Sequence, residues 1–351
     1  MENVEGKTIA VFTKNATNPA YAAFRLAVDR VAHASGANTA HFVPRKPDDI
    51  DEQKAFVAQA LADRPDIVIF IPVDDVAMVE PVERLNAAGI PIVLASNVLP
   101  GRFVTFVGAN DEEIGYRQAT YLFERMGRKD SIVVLEGPPA APTNRARLAG
   151  YRRALAEAPD IAVVASAVGM FQEPDGRRAM AQFLRDHARI DAVLSANDSM
   201  ALGALAALDE AGRSAIVIGI NGILAAVRAI AAGRMLASFD FNMFRIGGTC
   251  AHAALRHLRR EPLPEKILLP TEVIDRSNYQ AWLTPVEERA PPEWADVVGS
   301  NKPNGRLPPT LENRLVSEWV GRRTAQLDRP LASARELRDG IGERFDRVDV
   351  A

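Results

Sequence analysis

Apolar residues run along this chain in two alternating rhythms. The first is a set of short, nearly unbroken runs: "TIAVF" (Thr8–Phe12), "DIVIFI" (Asp66–Ile71), "IPIVLA" (Ile90–Ala95), "SIVVLE" (Ser131–Glu136), "AVVASAV" (Ala162–Val168), "DAVLSA" (Asp191–Ala196) and "AIVIGI" (Ala215–Ile220). Runs of this length, rich in β-branched residues, predict strands buried on both faces of a parallel sheet. The second rhythm fills the gaps. Ala20–Ser35, Gln53–Ala62, Glu112–Met126, Arg147–Ala158 and Arg178–His187 carry apolar residues at helical spacing, with charges on the other side. Strand–helix alternation throughout predicts a doubly wound α/β architecture.

The pattern also echoes itself. "DIVIFIPVDD" leads through a helix to "NAAGIPIVLASN", ending at Asn97, and "DAVLSANDSM" leads through a helix to "DEAGRSAIVIGIN", ending at Asn221. Two similar halves imply two similar lobes, with the break near Phe106–Gly115. Any two βαβ units share such features, so the echo allows this arrangement without requiring it. From Pro285 the alternation stops. The chain there holds "APPEW" and "GSNKPNGRLPP", with a helix expected around Leu311–Leu327. This stretch reads as a partly disordered extension wrapped over the surface.

Composition narrows the picture. At 351 residues the chain suits two domains. Hydrophobic residues make up 48% and charged residues 25%, as in ordinary globular proteins. No run approaches the ~18 apolar residues of a membrane span. The start, "MENVEGKTIAVF", lacks the basic and apolar regions of a signal peptide. Cys250, in the apolar context "GGTCAHAAL", is the only cysteine, so it reads as a buried, inert thiol. With a net charge of -3 and scattered basic residues there is no nucleic-acid footprint. The densest basic cluster, Arg145, Arg147, Arg152 and Arg153, reads as a solvated helix face.

In open α/β sheets ligands bind beyond the carboxyl ends of the strands. Lys14 and Asn18 follow the first strand, Ser96 and Asn97 follow "IPIVLA", and Asn144 and Arg145 follow "SIVVLE". Asn197 follows "DAVLSA", Asn221 follows "AIVIGI", and Asp240 and Asn242 follow "RMLASF". Amides both donate and accept, which suits a ligand rich in hydroxyls, and Arg145 offers a fork able to bridge two oxygens. Tyr21, Phe24, Phe171 and Phe241 supply ring faces nearby. Singly, several have a local explanation: Asn18 before Pro19 is a favoured helix cap, Asp198 or Ser199 could cap the next helix, and Asn221-Gly222 is a turn pair. Repeated at the same end of most strands, they favour a site.

The stretches "TNPAY", "GANDEEIG", "NRARLAGYRRAL", "SANDSMALGAL" and "VIGINGI" resemble motifs of the type I periplasmic sugar-binding proteins, the ribose- and galactose-binding-like group related to the core of LacI-type regulators. The resemblance runs from about Lys7 to Gln280. It implies two Rossmann-like doubly wound lobes joined by three crossing strands, near Gly108–Asp111, Ser238–Asn242 and Thr271–Asp275, with a ligand clamped between them. One lobe would hold 1–108 and 242–272, the other 109–241 and 273–288, leaving 289–351 as a C-terminal extension. Carried over by position, ligand contacts fall on Lys14, Asn18, Ala20, Tyr21, Ser96, Asn97, Arg145, Phe171, Asn197 and Asn221. Asp240, Phe241 or Asn242 would join them at the hinge.

Three positions depart from the family's usual pattern. Sugar binders there carry an aromatic in place of Ala20, Asp-Arg in place of Ser96-Asn97 and Asp in place of Asn221, which argues against ordinary ribose or galactose. Lys14 fits either a ligand with a negative group or a solvent-facing position.

The resemblance implies a binding protein that delivers a sugar, deoxysugar or polyol to the permease of an ABC transporter in the periplasm. It would act as a monomer, with no cofactor, no metal and no nucleic acid. A sensing variant would present the closed form to a membrane receptor or kinase. A cytoplasmic regulator core would need a helix-turn-helix before the first strand, where only six residues precede Lys7. Enzyme chemistry lacks its signatures: there is no G-x-G-x-x-G, no P-loop and no G-x-S-x-G, and no histidine falls at a strand end.

Overall fold

The computed structural model describes residues 3–299, so the helix expected around Leu311–Leu327 lies outside the described residues. The chain opens with β1 (Thr8–Phe12), α1 (Pro19–Ala34), β2 (Asn38–Phe42), α2 (Ile50–Asp63), β3 (Ile67–Phe70), α3 (Val79–Ala87), β4 (Ile92–Ala95) and β5 (Thr105–Gly108). It continues with α4 (Asp111–Arg125), β6 (Asp130–Glu136), α5 (Pro142–Ala156), β7 (Ile161–Val168), α6 (Glu173–Asp186) and β8 (Ala192–Ser195). Then come α7 (Asp198–Glu210), β9 (Ile216–Ile220), α8 (Leu224–Ala231) and β10 (Ala237–Asp240). The last described elements are α9 (Met243–Leu258), β11 (Lys266–Leu268), β12 (Glu272–Asp275) and α10 (Trp294–Gly299).

These strands form two six-stranded sheets, in the orders β2-β1-β3-β4-β5-β11 and β7-β6-β8-β9-β10-β12. The echo in the sequence is thus a repeat of topology: β3 matches β8, β4 matches β9, and the strand order reverses at β1/β3 in one sheet and at β6/β8 in the other. Pairing is parallel except at β12, which runs antiparallel to β10. β1, β3, β4 and β8 are buried almost throughout, as strands covered on both faces must be. The "AVVASAV" run departs from that expectation. β7 has β6 as its single neighbour, so several of its side chains reach solvent.

As far as β12 the chain passes between the two lobes three times. Residues 109–110 link β5 to α4, residues 241–242 link β10 to α9, and residues 269–271 link β11 to β12. The first and third passages touch, since Leu269 N donates to Gly108 O at 2.8 Å. Beyond β12 the described chain returns to the first lobe. The Arg30 guanidinium donates to the carbonyls of Glu287 and Arg289, and the Trp294 ring lies under Arg256 at 4.8 Å.

Helices α4 and α5 approach unusually closely, through two glycines. A Cβ on Gly115 would stand 2.3 Å from Arg147 O, and one on Gly150 would stand 2.2 Å from Glu112 O. No side chain fits at those distances, so the two glycines set the position of α5 and of whatever it carries toward the cleft.

Candidate functional site

Both sheets aim the carboxyl ends of their strands at the space between the lobes, where a narrow, nearly shut cleft holds a cavity of about 30 Å3. That is room for little more than a water molecule, well below the ~300–1,000 Å3 usual for ligand clefts, so the lobes must part for a solute to enter. From the first lobe Asn18, Ala20, Tyr21 and Ser96 line it. From the second come Thr143, Arg147, Phe171, Asn197 and Asn221, with Phe241 and Met243 at the second passage between lobes.

Asn18 and Asn197 are helix caps and cleft residues at once. Asn18 caps α1, its Oδ1 accepting from Ala20 N at 3.0 Å, which leaves its amide N–H groups unassigned. Asn197 caps α7, accepting from Met200 N at 2.9 Å, while Nδ2 donates to Phe171 O at 2.9 Å. One N–H of Asn197 remains. Capping and site readings are therefore compatible, because each amide spends its oxygen on the helix and turns nitrogen toward the cleft.

Asn221 sits at φ 130°, in a region that favours glycine. Its Oδ1 is buried without a hydrogen-bond partner. The turn that holds it is fastened from below: Gly222 N donates to Ser238 Oγ at 3.0 Å, and Ser238 Oγ donates to Asp198 at 2.7 Å. Ile223 N donates to the same carboxylate at 3.1 Å. Burial pushes Asp198 up to about 7, against the pull of these donors.

The strongest donor in the cleft is Arg147, with 2% of its surface exposed. Its Nε and Nη2 approach Asp111 Oδ1 at 3.0 and 2.9 Å, and Nη1 donates to Ala196 O at 2.6 Å. Its guanidinium carbon lies 5.3 Å from the centre of the Phe241 ring. Held on three sides, the fork keeps one N–H on each terminal nitrogen without a protein partner. Burial raises Asp111 while the neighbouring guanidinium lowers it.

Several expected residues stand elsewhere. Arg145 is turned away from the cleft lining and reaches Asp75 at 2.6 Å. Residues two positions apart on a helix stand ~200° apart, so Arg145 and Arg147 cannot share a face. The buried stripe of α5, Asn144, Arg147, Gly150, Tyr151 and Ala154, was the signal that separates them. Reading the Arg cluster as a solvated face thus fails at Arg147. Asn97 is buried behind the lining, donating to Pro72 O at 3.0 Å and accepting from Thr143 Oγ1 at 2.5 Å. Asp240 accepts from Asn242 N at 2.6 Å and from Trp282 Nε1 at 2.9 Å, and burial raises it to about 6. Asn242, left-handed at φ 56°, caps α9 by accepting from Arg245 N at 3.0 Å. Between them Phe241 lines the cleft. Lys14 is buried, not solvent-facing, among the charges of Asp48, Asp111, Arg147 and Asp74.

Residues 9–262 match the family model of the periplasmic binding protein domain, and the chain belongs to that family. It is similar to the ribose import binding protein of Bacillus subtilis, 26% identical over 267 residues that span 76% of this chain and 86% of that one. The D-apiose import binding protein of Actinobacillus succinogenes is 29% identical over 217 residues, 61% of this chain and 69% of that protein. Among solved structures, an ABC transporter solute binding protein from Bacillus halodurans with bound myo-inositol superposes with a TM-score of 0.75 at 25% identity, covering 81% of this chain and 99% of that one.

Proposed function

We propose that this protein captures a small polyhydroxylated solute, a sugar, deoxysugar or polyol, between its lobes and delivers it to the permease of an ABC transporter in the periplasm. It acts by binding, as a monomer, without turnover. The observation that carries the proposal is the buried Arg147 fork, fixed by Asp111 and Ala196 yet retaining free N–H groups toward a closed cleft. Asn18, Tyr21, Ser96, Asn197 and Asn221 converge on the same space from both lobes. A solute satisfying both walls stabilises the closed arrangement over the open one, which is how binding drives hinge closure. Family membership and the import proteins it resembles support this reading.

A thermal-shift screen of pentoses, hexoses, deoxysugars and polyols tests it. A solute present at 100 times its Kd adds about 2.7 kcal/mol to stability, a clear rise in Tm. A folded protein that none of them stabilises contradicts the proposal.

A further inference from the structure

The chain beyond β12 is anchored to both lobes. A single helical turn, Tyr279–Trp282, comes back along the second lobe, where Tyr279 and Trp282 pack against the core that holds Val227, Ile230 and Ile274. Trp282 Nε1 donates to Asp240 at 2.9 Å, at the end of β10 and directly beside the second passage between the lobes. The next contacts belong to the first lobe. Arg30 of α1 donates to Arg289 O at 2.6 Å and to Glu287 O. A Cβ on Gly248 of α9 would stand 2.5 Å from Pro292 Cδ, so Pro292 lies directly on that helix. His252 of α9 lies 2.8 Å from Pro292 O, and Val297 is buried in the core beneath α1 and α9.

Arg289 joins the two anchorages. Its carbonyl is held by Arg30 of the first lobe, while its guanidinium donates back to Trp282 O and Thr284 O, both at 3.0 Å. Only residues 283–286 separate Trp282 from Glu287, and Val286–Glu288 is itself wound into a helical turn. Even fully extended, that stretch spans at most ~18 Å. A link this short, tied at each end and clipped across its middle, has little slack to give when the lobes swing apart.

We infer that residues 283–292 form a strap, a fourth connection between the lobes that limits how far the cleft opens. Hinge motion needs connecting segments that absorb an angle change, and a tethered fourth link narrows the range of angles open to them. The strap leaves the second lobe at Asp240, whose other carboxylate oxygen accepts from Asn242 N, so it bears on the second passage itself. The inference concerns lobe motion without solute and stands or falls independently of what the cleft binds.

Double electron–electron resonance on the full chain without solute tests the inference. Spin labels on Val98→Cys and Val168→Cys report the separation of the two cleft rims, since these side chains are 59% and 44% exposed on opposite lobes and Cys250 is fully buried. Arg145→Ala is included throughout, so that the ion pair with Asp75 does not hold the lobes together. Inserting Gly-Ser-Gly between Thr284 and Pro285 adds up to ~10 Å of reach, and the mean rim separation is expected to rise by at least ~5 Å. Arg30→Met, which frees the carbonyls of Glu287 and Arg289, is expected to move the distances the same way by a smaller amount. A folded insertion variant whose distances match those of its parent overturns the inference, whether or not its stability has dropped. Should the insertion fail to fold, Arg30→Met decides by the same comparison.

Discussion

Arg145 on one lobe pairs with Asp75 on the other, its Nη2 2.6 Å from the carboxylate. The pair joins α5 of one lobe to the segment after β3 of the other, and it has company. Thr143 Oγ1 donates to Asn97 Oδ1 at 2.5 Å, and Thr17 Oγ1 donates to Gln172 Oε1 at 3.0 Å. The lobes therefore touch directly, through polar contacts that exist only when the cleft is shut.

Arg145→Ala removes one such contact. Arg145 is partly exposed, and ion pairs of that kind are worth about 0–1 kcal/mol. The unliganded protein is expected to shift toward a larger radius of gyration in solution scattering, with solute affinity reduced by no more than about fivefold. A loss of binding altogether would place Arg145 in the site itself.

Arg147 behaves differently. Arg147→Ala strands the buried Asp111 carboxylate and is expected to cost about 3–5 kcal/mol of stability. Arg147→Lys keeps the charge and loses the fork, so it should fold while binding solute at least tenfold more weakly. Calorimetry and chemical denaturation separate these outcomes.

Packing behind the site is open to the same kind of test. Gly150→Ala forces a methyl group to within 2.2 Å of Glu112 O. The helices must part, at a cost of about 1–3 kcal/mol, and Arg147 moves with α5. Denaturation should show the loss of stability, and titration should show weaker binding in whatever fraction remains folded.

Asp198 gives a pH dependence with a definite sign. Its carboxyl rises from the ordinary 3.8 to about 7 on folding. The folded state therefore holds a proton that the unfolded state has released. The resulting stability is complete below about pH 4 and is lost as pH rises to about 7, at about 1.4 kcal/mol per pH unit. Asp198→Asn should flatten this limb of the stability profile relative to the parent protein. An unchanged slope between those pH values would show that Asp198 stays ionised in the fold.

Much of the architecture was legible because it follows from periodicity. The runs at Asp66–Ile71 and Asp191–Ala196 became the matching strands β3 and β8, and Asn18, Ser96, Asn197 and Asn221 fell at strand ends facing one cleft. What stayed hidden needed depth or rotation. Arg145 and Arg147 look alike in a basic run, and only the buried stripe through Asn144, Gly150 and Tyr151 tells them apart. Asp240, Phe241 and Asn242 sit in a passage where hydrogen bonds to Trp282 and Arg245, distant or local, decide which side chain is free. That Asn97 would be spent on Pro72 and Thr143 could not be read from its neighbours, since both partners come from other segments.

A crystal structure of the protein with the solute that most raises its Tm tests the central claim most directly. The account expects that solute between the lobes, with oxygen atoms within hydrogen-bond distance of Arg147 and Asn221. A solute bound outside the cleft, or inside it with neither residue in contact, would contradict the account.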